Sequence, residues 1–141
     1  MPTYTPLRLT LPHMPHGCTL VDASWQRKGL LALFAFSGNE DTAPLAVSVA
    51  FKRIIVMRLV DEMTYSLEER GRDVFVMREG FAYEVVDSPF LRTLTEAPKI
   101  AYTYPKQYSF FGQNDCMDVL ASEPPVFDIV DLRPWLSARG L

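Results

Sequence analysis

The chain has 141 residues, the length of one ordinary domain, and leaves no room for a second hydrophobic core. Hydrophobic residues make up 48% and charged residues 22%, values typical of a globular protein, which exclude extensive disorder. Fourteen Lys and Arg oppose 17 Asp and Glu, and the basic residues form no run, so the concentrated basic patch of a nucleic-acid-binding protein is not predicted.

The sequence also indicates a compartment. Its first residues lack the charged and apolar regions of a signal peptide, and its longest apolar run is interrupted by Lys52, Arg53 and Arg58. Two cysteines, Cys18 and Cys116, are too few for a secreted disulfide framework. We therefore expect a cytoplasmic protein with reduced thiols and no membrane segment.

The N-terminal part of the chain is predicted to form antiparallel strands. Residues 7–11 alternate between apolar and polar types and are flanked by prolines, which predicts a strand at the edge of a sheet. Residues 18–26 and 30–36 are separated by a short polar turn that ends in glycine. The simplest pairing of these two segments is a hairpin.

Two long apolar runs, residues 29–37 and 45–60, predict paired strands at the centre of a β-rich core. The first part of the second run has apolar side chains at every other position, so one face of that strand is expected to be buried. Lys52 and Arg53 interrupt the alternation. We expect a β-bulge or a bend at this point.

The middle of the chain contains the clearest helix signal. A glycine-containing hairpin is predicted over residues 74–86 and is followed by a helix over residues 88–97. Asp87 or Ser88 can cap the first amides of that helix, and Pro89 suits its first position. Because the helix is short, it must dock on a sheet to be stable.

The C-terminal part is predicted to add three strands. Residues 108–111 and 116–121 form the strongest hairpin pattern in the sequence, and residues 126–130 form one more strand. Residues 132–141 are expected to be a loosely packed tail. The whole chain, residues 1–141, is therefore predicted to be a single α+β domain, mostly antiparallel β, built as a sandwich or partly open barrel of about seven or eight strands with one short helix.

Three stretches, residues 49–62, 84–91 and 108–126, together resemble small bacterial proteins that often occur beside polymorphic toxin systems and look like immunity proteins. The resemblance is one of spacing and residue character over about half of the chain. It implies a compact β-rich domain with a binding role and brings no catalytic motif. Lys106-Gln107 stand where the resemblance leads us to expect a histidine.

The only cluster with the character of a transition-metal site is His13, His16 and Cys18, which are good zinc ligands. A fourth ligand would have to come from strand packing. The candidates for it are Asp22, Asp115 and Cys116. The alternative, which chance spacing favours, is a proline-rich loop whose histidines are solvated. Cys116 has no histidine nearby in the sequence to activate it, so we expect a buried strand cysteine and not a nucleophile.

Paired carboxylates are a further candidate for acid–base or metal chemistry. The pairs are Asp61 with Glu62, Glu68 with Glu69, and Asp115 with Asp118. Solvated charge at strand ends is the expected role of such residues. Arg58 lies on an apolar strand, where a partly buried guanidinium usually finds a carboxylate, and we expect it to pair with Glu62 or Asp118.

Aromatic residues are concentrated after the predicted helix, at Tyr102, Tyr104, Tyr108, Phe110 and Phe111. Core packing is the first interpretation of these side chains, and anchoring of a partner at a sheet surface is the alternative. The sequence contains no phosphate-binding glycine loop, nucleophile elbow or zinc-protease helix. No cofactor is expected.

We therefore expect a non-enzymatic bacterial interaction protein, of the immunity type that binds a toxin encoded nearby. Acidic side chains would steer it towards a basic partner. The predicted partner-binding residues are Asp61, Glu62, Glu68, Glu69, Tyr102 and Tyr104. The alternative is a small-molecule or metal-binding domain that uses a cleft near His13, His16 and Cys18.

Overall fold

The structure, a computed structural model, describes residues 3–7, 18–36, 45–61, 81–94, 105–112 and 115–140. Within these ranges the chain forms nine strands and two short helices. The strands are β1 (Thr3–Pro6), β2 (Thr19–Gln26), β3 (Gly29–Ala35), β4 (Leu45–Phe51), β5 (Val56–Asp61), β6 (Ala82–Val86), β7 (Lys106–Phe111), β8 (Asp115–Ala121) and β9 (Val126–Asp131). The helices are α1 (Pro89–Leu94) and α2 (Arg133–Ala138).

The strands form two sheets in which all neighbours are antiparallel. One sheet has five strands in the order β1-β6-β7-β8-β5, and the other has four in the order β2-β3-β4-β9. The sheets are not closed into a barrel. The predicted class, mostly antiparallel β, is therefore confirmed, with a second helix that we did not predict.

Side chains from both sheets pack into one core. The ring of Phe34 on β3 lies 4.8 Å from that of Phe81, and the ring of Phe51 on β4 lies 6.0 Å from that of Phe110 on β7. The alternation predicted for β4 and β8 is confirmed for six inward residues in this core, whereas Leu45, predicted on the same face of β4, is 38% exposed. The six residues are Val47, Val49 and Phe51 on β4, and Met117, Val119 and Ala121 on β8. We call the side of each sheet that faces away from this core its outer face.

The long apolar run of residues 45–60 does not form one strand. We predicted a β-bulge or bend at Lys52 and Arg53, but β4 ends at Phe51 and β5 begins at Val56 in the other sheet, where it pairs with β8. Both cations are exposed. Because two adjacent charges cannot be buried between packed sheets, the chain leaves one sheet here and enters the other.

The β2–β3 hairpin is confirmed, and a glycine makes its turn possible. Gly29 has φ = +121°, and a Cβ at this position would lie only 2.0 Å from the carbonyl oxygen of Phe51. No side chain fits so close to the end of β4, which explains the glycine. The turn thus lies directly against the end of β4.

Several predicted elements lie partly outside the described residues. The N-terminal edge strand that the structure describes is β1, at residues 3–6; it lies at the edge of the five-stranded sheet, and Leu7 N donates to Ala82 O at 2.9 Å. Residues 8–11 lie outside the described ranges, as do the first arm of the hairpin predicted within 74–86 and residues 95–97 of the predicted helix.

The two helices are anchored differently. Helix α1 begins at Pro89 as predicted, and Ser88 caps it by accepting the Leu91 amide at 2.9 Å. Helix α2 lies within the segment for which we predicted a loose tail. It follows edge strand β9, and its Trp135 Nε1 donates to Asp22 Oδ2 on β2 at 3.0 Å. Since β2 and β9 are opposite edges of their sheet, α2 crosses its outer face.

Candidate functional site

The outer face of the five-stranded sheet carries a set of buried polar side chains. Strand alternation places Gln107 and Ser109 of β7 on this face, because Tyr108 and Phe110 point into the core. Asp118 of β8 is opposite Ser109, and Arg58 of β5 is opposite Asp118. With the helix cap Ser88, these residues form what we call the Asp118 network.

Asp118 lies at the centre of the network and is completely excluded from solvent. Its Oδ1 accepts a hydrogen bond from Ser109 Oγ at 2.5 Å, and its Oδ2 accepts one from Arg58 Nε at 2.7 Å. A buried carboxylate is costly unless it is paired and hydrogen-bonded, and both conditions are met here.

The network continues from Ser109 to helix α1. Gln107 Nε2 donates to Ser109 Oγ at 3.0 Å, and Ser88 Oγ donates to Gln107 Oε1. Ser88 Oγ in turn accepts the Leu91 amide that opens the helix. A continuous hydrogen-bonded path therefore links Asp118 to the N-terminus of α1.

Arg58 is the member of the network that reaches solvent, with 24% of its side chain exposed. Its guanidinium carbon lies 4.1 Å from the centre of the Phe90 ring, in the second position of α1. Arg58 therefore contacts α1 through a cation–π interaction while binding Asp118. Within the described ranges, no buried polar side-chain atom lacks a hydrogen-bond partner. The network thus fastens α1 to the sheet.

The sequence anticipated part of this network. The ion pair of Arg58 with Asp118 is confirmed, whereas the other proposed partner, Glu62, lies outside the described residues. Gln107 and Ser109 were missed. Their positions were nonetheless visible in the sequence, because they alternate with Tyr108 and Phe110 and so must share one face of β7.

The structure does not bring Asp115 and Asp118 together as a pair. They project from opposite faces of β8, and Asp115 is exposed whereas Asp118 is buried. Asp115 instead lies directly opposite Asp61 of β5, which is also exposed. Two carboxylates are therefore side by side at the end of the five-stranded sheet, and we call this pair the acidic end.

The proposed metal ligands are placed only in part. Cys18 is buried, and its burial raises the pKa of its thiol to about 11. His13 and His16 lie outside the described residues, so the metal site stays a prediction. Within the described ranges, no group of three His, Cys, Asp or Glu side chains has the arrangement of a metal site. Cys116 is the buried strand cysteine that we expected.

The aromatic cluster divides between two locations. Tyr108 and Phe110 lie in the core, as the first interpretation predicted, and burial together with the charge of Glu84 raises the pKa of Tyr108. Phe111 is on the outer face, with its ring 5.6 Å from that of Tyr83. The other predicted contact residues lie outside the described ranges. They are Glu62, Glu68, Glu69, Tyr102 and Tyr104.

Comparison with known proteins adds no name to this geometry. No protein-family model matches the chain, and no curated protein or solved structure matches it either. Neither of the helices described above has the length and apolar character needed to cross a lipid bilayer.

Proposed function

We propose that the chain is a non-enzymatic interaction protein of the immunity type, which acts in the bacterial cytoplasm and binds a basic partner protein through its acidic end. In this proposal the two sheets form a β-sandwich that serves as a rigid scaffold for the contact. The observation that carries the proposal is the juxtaposition of Asp61 and Asp115 in the β5–β8 register.

Two like charges in directly opposed positions of an antiparallel ladder destabilise the sheet. Asp61 and Asp115 occupy such positions, and both are exposed. A basic partner would turn this repulsion into a favourable interaction and would be attracted from a distance. The arrangement therefore places two acidic side chains where a basic partner can reach them.

The Asp118 network supports the non-enzymatic part of this proposal. Asp118 has both oxygens occupied and no exposed surface, so it has no position for a substrate. Its role in the proposal is to keep α1 and the sheet rigid. A rigid scaffold lowers the entropy lost when a partner binds.

The direct test is co-purification of the chain with the product of the neighbouring gene. We expect a saturable complex whose dissociation constant rises at least tenfold in Asp115→Lys and whose association slows at high salt. Glu123→Lys is the matched control, because Glu123 is exposed and follows the other end of the same strand. Equal weakening by both variants, or no saturable complex, would contradict the proposal.

A second test needs no partner. Asp115→Asn removes one of the two facing charges, and we expect the free energy of unfolding to rise by a few tenths of a kcal/mol at low salt. The gain should shrink in high salt, where the repulsion is screened. Urea denaturation measures both values, with Glu123→Gln as the control; a destabilised Asp115→Asn variant would show that the pair does not repel.

A further inference from the structure

The structure gathers two basic pairs that are far apart in the sequence. Arg27 and Lys28 form the β2–β3 turn, and Lys52 and Arg53 follow the end of β4. The register pairs Leu30 with Phe51, and the turn glycine lies against the Phe51 carbonyl oxygen. The four cations therefore meet at one end of the four-stranded sheet, which we call the basic end.

These four side chains are available to a partner. All are exposed, and none forms an ion pair or a side-chain hydrogen bond with any other described residue. Glu123 is one exposed acidic residue in the connection that leads into β9. The basic end therefore keeps a net positive charge in a protein whose formal net charge is −3.

An apolar strip borders the basic end on the outer face of the four-stranded sheet. Ser24, Leu31, Ala50 and Val126 are aligned across β2, β3, β4 and β9 by the register of the sheet. Leu31 is 46% exposed and Val126 is 64% exposed. The strip thus presents two exposed apolar side chains, Leu31 and Val126, on either side of the half-buried Ala50 and next to four cations.

Helix α2 contacts the neighbouring part of the same outer face, where Trp135 and Arg139 both donate hydrogen bonds to Asp22. Ala46 and Ser48 of β4 are buried there, although they point away from the core. The apolar strip therefore lies between α2 and the basic end, and it runs across the strands as α2 does. We call the strip, bordered by a helix on one side and by positive charge on the other, the groove.

The spacing of the strip identifies the secondary structure of its occupant. Leu31 and Val126 are two strands apart, which corresponds to about 10 Å. Residues i and i+7 on one face of a helix are about 10.5 Å apart, whereas same-face residues of an extended chain are about 7 or 14 Å apart. A helix matches the strip, and an extended segment does not.

We infer that this groove binds an acidic amphipathic helix of a partner protein. Its apolar side chains would cover Leu31 and Val126, and its carboxylates would face the basic end. Aliphatic side chains do not stack on nucleobases, and the strip is on the flank of a sheet and not at a loop tip, so a helical protein segment fits better than a nucleic acid or a lipid surface. The groove is remote from the acidic end, so the inference is independent of the proposed function.

The test uses a designed peptide as the probe. It is a fluorescently labelled helix of about five turns, with Leu at i, i+3 and i+7 and Glu on the flanking positions. Its controls are a scrambled peptide of the same composition and a peptide with Lys in place of Glu. Fluorescence anisotropy measures binding to the full chain, and we expect binding of the acidic helix only.

The binding should depend on both parts of the groove. We expect Leu31→Asp to weaken it at least tenfold, and Lys28→Glu combined with Lys52→Glu to do the same. Leu59→Asp is the matched control, because Leu59 is 53% exposed on β5 of the other sheet, and it should leave binding unchanged. Thermal unfolding of each variant checks that it is folded, and Val126→Asp replaces Leu31→Asp if the latter unfolds.

Several results would overturn the inference. They are the absence of binding, equal binding of the scrambled peptide, or equal weakening by Leu59→Asp. Tighter binding of a single-stranded oligonucleotide or of phosphatidylglycerol vesicles, lost in the same variants, would assign the groove to that ligand instead. A dimer in wild type that is lost in Leu31→Asp would assign it to a second copy of the chain.

Discussion

The two sheets differ in what they place on their outer faces. The five-stranded sheet buries polar and charged side chains there, and Gln107, Ser109 and Asp118 have no exposed surface. The four-stranded sheet leaves Leu31 and Val126 exposed on the corresponding face. One face buries polar groups and the other exposes apolar ones, which is the reverse of the usual distribution of residue types.

The burial of a sheet face therefore depends on what packs over it as much as on the residues in it. The polar face can be buried because each of its hydrogen-bonding groups has a partner, including the cap of α1. The apolar strip stays exposed because α2 has only six residues and contacts the sheet at Asp22, in the adjacent row. The exposed strip is therefore available for binding, whereas the buried network is not.

Replacement of Asp118 tests the buried polar face of the five-stranded sheet. We expect it to have the largest effect on the free energy of unfolding. Asp118→Ala leaves the Arg58 guanidinium and the Ser109 hydroxyl without their acceptor, and we expect the free energy of unfolding to fall by about 2–4 kcal/mol. The value is below that of a fully buried pair because Arg58 keeps some contact with water. Urea denaturation measures the change.

Two further variants sharpen the Asp118 prediction. Asp118→Asn keeps the shape and one acceptor oxygen, so its loss should be smaller. Glu123→Ala, at an exposed carboxylate, should change stability by less than about 0.5 kcal/mol. An Asp118→Ala loss no larger than that of Glu123→Ala would show that the buried network does not hold α1, and the contrast between the two faces would disappear.

Cys18 lies in the core between the two sheets, and its thiol titrates at alkaline pH. Burial raises the pKa of the Cys18 thiol from 9.0 to about 11, so above pH 9 the unfolded chain loses this proton before the folded chain does. The contribution of Cys18 is thus present below pH 9 and is lost as pH rises to 11, by up to about 2 kcal/mol.

Stability measured in urea from pH 7 to pH 11 tests this prediction. Tyr108 also has a raised pKa and contributes to the alkaline loss, so the comparison must be with Cys18→Ala, which keeps Tyr108. We expect the variant to lose less stability between pH 9 and pH 11 than the wild type. Equal alkaline losses would mean that water reaches Cys18 and that the core is less tightly closed than the structure shows.

Release of α2 by substitution of Asp22 tests the outer face of the four-stranded sheet. We expect a smaller effect on the free energy of unfolding than from the changes at Asp118 and Cys18. Asp22→Ala removes the acceptor of Trp135 Nε1 and of Arg139 Nη2, each 3.0 Å from Asp22 Oδ2. Because these groups are partly exposed, we expect a loss of about 1–2 kcal/mol. More of the outer face should become accessible, which increased fluorescence of an apolar dye would detect.

Hydrogen exchange locates the effect of that substitution. The amide of Leu136 donates to Leu132 O within α2, and we expect it to exchange faster in Asp22→Ala. Asp22→Asn keeps an acceptor oxygen and should change the exchange rate less. Unchanged exchange at Leu136 in Asp22→Ala would show that the contact with β2 does not hold the helix on the sheet.

The sequence predicted the candidate site only where the pattern within one strand or at one helix start was sufficient. The sequence predicted that Arg58 pairs with Glu62 or Asp118 and that Asp87 or Ser88 caps the helix at Pro89. The structure selects Asp118 and Ser88. Gln107 and Ser109 show the required alternation, but nothing in the sequence indicates that both faces of β7 are buried. That fact depends on what covers the sheet.

By itself the sequence determined the hairpins β2–β3 and β7–β8, the inward residues of β4 and β8, and the start of α1. All of these depend on alternation, turns and caps within a few residues. Only the tertiary structure decided that β4 and β5 belong to different sheets, that Asp61 faces Asp115, and that Arg27 and Lys52 meet at one end. The physical reason is that strand order follows from pairing between distant segments, which local patterns do not encode.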